Sequence, residues 1–95
     1  MVLDLTAEGT AFQETCLVAA PGKFTINFDN KDAGVLHNVD VFDKQGGKSL
    51  GATDPALGPK QEPLNLDLDA GSYYFQCDIH PTLMFGTLAV VDGAK

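Results

Sequence analysis

Apolar and polar side chains alternate at a period of two along much of the chain. Phe24, Ile26 and Phe28 stand against Thr25, Asn27 and Asp29, and Leu64, Leu66 and Leu68 against Asn65, Asp67 and Asp69. This is the mark of strands with one buried and one wet face. Further strands are predicted at Val2 to Leu5, Phe12 with Leu17 to Ala20, His37 to Phe42, Ser72 to Gln76 and Gly86 to Val91. Turn residues separate them at Pro21-Gly22, Asn30 to Gly34, Gln45-Gly46-Gly47 and Asp69-Ala70-Gly71. No segment sustains a helical period with caps. About seven short strands with frequent turns predict an all-β sandwich of two sheets packed face to face. The stretch from Asp43 to Pro63, rich in Gly and Pro, reads as one long loop with room for a helical turn around Ala56.

Ninety-five residues leave room for one core, so residues 1–95 are expected to form a single domain. With 44% apolar and 20% charged residues the chain has the composition of a folded domain and not of a disordered tail. Six lysines and no arginine against thirteen carboxylates give a net charge of −7. Such a field repels phosphate backbones and anionic lipid heads, which argues against a nucleic-acid partner. Uninterrupted apolar runs are only a few residues long, whereas a bilayer span takes roughly 20. Residues 1 to 20 lack the basic start and apolar block of a signal peptide. Strand-forming Val2, Leu3 and Leu5 follow Met1 at once, so the chain reads as a mature protein or an excised domain.

Strand parity locates the candidate chemistry. In the His37 to Phe42 segment His37 shares a face with Val39 and Val41, so it is expected to point inward. Tyr73, Phe75 and Cys77 share a face in the same way, which delivers the Cys77 thiol from the core side of a strand end. Directly after it, Cys77-Asp78-Ile79-His80-Pro81-Thr82-Leu83-Met84 offers a thiolate, an imidazole and a thioether within eight residues. With His37 the set is two His, one Cys and one Met, the donors of a blue-copper electron-transfer site; structural zinc uses more Cys and His at tighter paired spacings.

The two cysteines also allow a Cys16–Cys77 disulfide, the usual arrangement in a small secreted domain. It would leave the convergence of His37, His80 and Met84 on the same strand end without a cause. Cys16, in the apolar run Cys16-Leu17-Val18-Ala19-Ala20, is expected to be a buried structural thiol. Glu62, Asp67 and Asp69 alternate with leucines or flank a turn and read as a solvated face.

The segments PGKFTINFDNKDAGVLHNVDVFD and AGSYYFQCDIHPTLMFGTLAVV resemble the first-histidine segment and the copper loop with closing strand of the cupredoxin family, the small blue-copper proteins. The resemblance covers nearly the whole chain. It implies a Greek-key β-sandwich of seven to eight strands, with His37, Cys77 and His80 as strong ligands of one copper ion and Met84 as the axial ligand. It further implies that the Asn38 backbone N–H bonds the Cys77 sulfur while its side chain ties its loop to Asp78, and that Tyr73 occupies the tyrosine-corner position.

The function that follows is one-electron transport between a redox donor and a redox acceptor, docking on apolar surface around His80. Pro55, Ala56, Leu57, Pro81, Leu83 and Phe85 are the residues available for that surface. The expectation is a monomer with no small-molecule substrate, a carrier and not an enzyme, in the periplasm or outside the cell as in the family. The alternatives are a copper chaperone or storage domain, or a module of a larger multicopper or membrane redox protein.

Overall fold

Strands with one apolar face gain stability only by pairing and closing over one another, and nearly all of the alternating segments do so. The computed structural model describes residues 1–94. They form ten strands: β1 (Val2–Ala7), β2 (Cys16–Ala19), β3 (Gly22–Asn30), β4 (Leu36–His37), β5 (Asp40–Phe42), β6 (Ser49–Ala52), β7 (Ala56–Leu57), β8 (Lys60–Leu68), β9 (Gly71–Gln76) and β10 (Phe85–Val90). Eight lie in two sheets of order β1-β3-β8 and β2-β10-β9-β5-β6, and β4 pairs with β7 in a separate two-stranded ribbon. This is the all-β sandwich that the alternation predicts. Two pairings, β1 with β3 and β10 with β2, are parallel, and the rest are antiparallel.

Phe24, Ile26 and Phe28 of β3 and Leu64 and Leu66 of β8 turn inward, as do Leu17 and Ala19 of β2, Leu88 and Val90 of β10, and Phe75 of β9. Phe12 joins no strand beyond a single bridge to Ala7, yet its ring sits 6.2 Å from that of Phe28 and 5.4 Å from that of Phe75. It therefore links the two layers beneath the Cys77 end of β9. Gly86 lies against Phe75, where a Cβ would meet the ring and the Thr15 carbonyl at 2.5 Å each, so only glycine lets β10 approach so closely. The Tyr73 hydroxyl donates to the Asp69 carbonyl at 2.7 Å, the bond of a tyrosine corner.

Three expectations are corrected. The segment His37 to Phe42 is not one strand: it ends as β4 at His37 and resumes as β5 at Asp40. Between them Val39 turns to Thr53, donating its N–H to Thr53 Oγ1 at 3.0 Å and accepting the Thr53 N–H at 2.9 Å. The region from Asp43 to Pro63 is not a single loop with a helical turn. It holds β6, β7 and the start of β8, and Ala56 pairs with His37. Cys16 is exposed rather than buried. In the edge strand β2 the inward positions belong to Leu17 and Ala19, which sends Cys16 and Val18 outward.

Candidate metal centre

The β9–β10 hairpin builds one half of the site. Its register sets Gln76 opposite Phe85, which makes Cys77 and Met84 the next pair across, closed by the Cys77 N–H donating to the Met84 carbonyl at 2.9 Å. Both residues are fully buried. The His80 carbonyl accepts from the N–H groups of Leu83 and Met84 at 3.1 and 3.0 Å, folding the connecting residues into a tight turn that brings the half-buried His80 back over Cys77.

The other half comes from β4. His37 is fully buried, and the chain leaves β4 immediately afterwards, which frees Asn38 to reach the hairpin. Asn38 Oδ1 accepts the Asp78 N–H at 2.8 Å, and its Nδ2 donates to Asp78 Oδ2 at 3.0 Å. The tie between the histidine segment and the cysteine loop is thus present as the resemblance implies.

Cys77 Sγ lies 3.8 Å from His37 Nδ1 and 3.9 Å from His80 Nδ1, and the three donor atoms all fall within 4.8 Å of one another. The two rings are 5.1 Å apart and inclined at 65°, so each presents the nitrogen nearer its backbone to the sulfur. Donors about 2.0 Å (imidazole) and 2.3 Å (thiolate) from a shared first-row ion stand roughly 3.5 Å apart at a tetrahedral angle and about 3.8 Å apart at a near-trigonal one. The observed separations match the wider angle. A soft thiolate and two imidazoles in such an arrangement, with a buried thioether one cross-strand position away, fit copper better than tetrahedral zinc.

Several polar groups at this end have no signal in the strand pattern. Asp32, in the β3–β4 turn, places Oδ2 2.7 Å from His37 Nε2. Its carboxyl lies below the usual carboxylate range because of the Thr10 N–H, His37 and the Gly9 N–H, in that order of weight. Asp40 accepts from the Ser49 hydroxyl at 2.6 Å. Burial, with the Asp78 carboxylate beside it, pushes Asp40 up to about 6 against the Ser49 bond. At Asp78 partial burial pulls the other way, but donors from Gln76, Asn38 and Asp40 outweigh it and hold this carboxyl below its ordinary value.

No protein-family model matches the sequence, and no curated protein does. Solved structures do match. Auracyanin A, a "blue" copper protein from Chloroflexus aurantiacus, superposes with a TM-score of 0.84 at 21% identity over 96% of this chain and 98% of its own. Auracyanin from Roseiflexus castenholzii gives 0.83 at 17% identity over 95% and 96%. Amicyanin from Paracoccus versutus gives 0.70 at 25% identity over 95% and 81%. These structures match the chain over nearly its whole length, and the chain has the cupredoxin fold.

Proposed function

We propose that the chain is a one-electron carrier in which His37, Cys77 and His80 would hold a single copper ion, with Met84 as a weaker fourth donor. The observation that carries this reading is the convergence of one buried thiol and two imidazole Nδ1 atoms at near-trigonal separations. Copper bound there supplies a Cu(II)/Cu(I) couple, for which thiolate, imidazole and thioether are suited donors. The chain's own part is to keep those donors fixed and dry. His37, Cys77 and Met84 are fully buried, and Asn38 fastens the two halves of the site through Asp78. Rigid donors that need not rearrange between oxidation states favour electron transport. A copper chaperone needs exposed, exchangeable donors, and the burial of three of these four disfavours that reading. Four protein donors on one ion would leave no open position for a substrate, which favours a carrier over an enzyme.

His80 is the half-buried member of the set and the natural exit for the electron. Apolar side chains stand exposed at this end: Leu36 and Leu57, paired across β4 and β7 beside His37, and Leu83 and Phe85, on either side of Met84. Apolar patches of this kind mark docking surfaces. The partners are a redox donor and a redox acceptor that meet the monomer there, in the periplasm or outside the cell. Adding Cu(II) to the purified protein should give an intense blue thiolate-to-copper band that bleaches with a mild reductant and returns on oxidation. A colourless protein, or a colour that does not cycle, overturns the reading.

A further inference from the structure

The β3–β4 turn carries a carboxylate on which two segments distant in sequence converge. Asp32 Oδ1 accepts the Gly9 N–H at 2.7 Å and Oδ2 accepts the Thr10 N–H at 2.9 Å. Gly9 and Thr10 both have left-handed backbone, with φ of 67° and 55°, and Thr10 is the one non-glycine residue at positive φ among the described residues. A side chain with a Cβ is costly in that region, and such strain persists where surrounding contacts over-determine the backbone. Here it aims two consecutive N–H groups at one anion, a concave arrangement of amides that binds negative charge. The turn under Asp32 is fixed as well. Asn30 Oδ1 accepts the Asp32 N–H at 2.9 Å, while Asn30 Nδ2 donates to the carbonyls of Val35 and Ala56 at 3.0 Å each.

The same Oδ2 stands 2.7 Å from Nε2 of the fully buried His37, and the Asp32 side chain is only 15% exposed. His80 has no such carboxylate bond among the described residues, so the two imidazoles of the site are not equivalent. Both oxygens of this carboxylate already accept from backbone amides, so toward the ring Oδ2 acts as an acceptor as well. Nε2 must then carry the proton, which leaves the Nδ1 lone pair directed at the Cys77 sulfur.

We propose that Asp32 is a positioning residue of the metal centre: anchored by the Gly9 and Thr10 amides, it fixes His37 in the Nε2–H tautomer and sets a negative charge one imidazole away from the bound ion. This rests on the copper reading above and deepens it. A carboxylate partner orients a ligating imidazole and raises its basicity, and a fixed negative charge favours the more highly charged state of the ion. Asp32 therefore biases the site toward oxidised copper.

The first test needs no metal. Nitrogen-15 NMR of the copper-free protein should show His37 as the Nε2–H tautomer with a slowly exchanging ring proton. A His37 protonated at Nδ1 overturns the proposal whether or not any variant folds. The second test loads copper and compares Asp32→Asn with the parent by voltammetry. Loss of the charge should shift the preference of the site from Cu(II) toward Cu(I) by about tenfold, the lower end of the effect of such partners, which is a rise of about 59 mV for one electron. Asp32→Glu keeps the charge and should return the potential toward the parent value. A merely structural Asp32 would lower stability in the Asn variant and leave the potential and the His37 tautomer unchanged, and that outcome rejects the proposal. Should the parent take up no copper, the functional reading fails by itself, while the tautomer still decides what Asp32 does to His37.

Discussion

Asn38 and Asp78 clasp each other across forty residues of chain: the Asn38 amide oxygen accepts the Asp78 N–H at 2.8 Å, and its nitrogen donates to the Asp78 carboxylate at 3.0 Å. The amide is almost wholly buried and also points Nδ2 at the Thr53 carbonyl, at 3.4 Å. An amide is suited to the task because it both donates and accepts. Asn38→Ala removes the two short bonds to Asp78, at about 1 kcal/mol net each, along with the longer one to Thr53, so we expect a loss of about 2 kcal/mol or more in denaturant unfolding together with a broadened copper band as the two halves of the site come apart. Asn38→Asp should cost more, since it sets one carboxylate against another. Full stability in the alanine variant would mean that the hairpin and β4 hold the site unaided.

The two thiols should be separable by chemistry. Cys16 is exposed on an edge strand and Cys77 is fully buried, both as free thiols. A disulfide-forming thiol reagent should therefore modify one thiol per native chain and two after unfolding. Cys16→Ser should retain the blue band, and Cys77→Ser should abolish it. Two fast-reacting thiols in the native protein would contradict the burial of Cys77.

How far the sequence reaches can be seen at His37 and Asp32, five residues apart. The burial of His37 is anticipated by its even spacing from Val39 and Val41, although the strand breaks between them and Asn38 and Asp40, of the opposite parity, are buried as well. The role of Asp32 depends on Gly9 and Thr10, more than twenty residues upstream, being folded against it in a left-handed turn, and no local pattern carries that. The same distinction explains β6 and β7, whose short strands among glycines and prolines gain order only from partners elsewhere in the chain. It also explains Asn38 and Val39, where bonds to Thr53 interrupt an apparently continuous strand. Cys16 misleads for another reason: in a four-residue edge strand the parity is set by Leu17 and Ala19, and the apolar character of the run hides it.

Stability should fall as pH rises through the range in which Asp40 loses its proton. Its carboxyl stands at about 6 in the folded chain, against an ordinary value of 3.8. A raised acid binds its proton more tightly when folded, so its contribution is most favourable below about 4, declines between about 4 and 6, and stays at its lower level above that. Asp40→Asn should remove this decline, because an amide can accept from Ser49 and donate to Asp78 without ionising. Chemical unfolding of both proteins across pH 4 to 8 is the measurement, with the variant gaining on the parent as pH rises. Parallel profiles would show that Asp40 ionises without cost. Asp78 and Asp32 act in the opposite sense and lower down: both are depressed, so the stability they give is lost as pH falls below about 4.

The apolar end of the molecule separates docking from ligation. Leu83 is 64% exposed in the turn between His80 and Met84, and its side chain is free to contact a partner without supporting the core. Leu83→Asp introduces a charge that must be desolvated on contact and removes apolar area worth about 1.5 kcal/mol or more when buried. We expect electron exchange with a redox partner to slow about tenfold or more, with the position of the absorption band and the copper stoichiometry unchanged. Salt dependence then distinguishes the two kinds of encounter. A net charge of −7 attracts a basic partner, whose exchange should slow as ionic strength rises, but it repels a second copy of the same chain, whose self-exchange should quicken. If Leu83→Asp leaves both rates unaltered, the electron enters and leaves elsewhere on the surface. If it moves the band, Leu83 shapes the site itself.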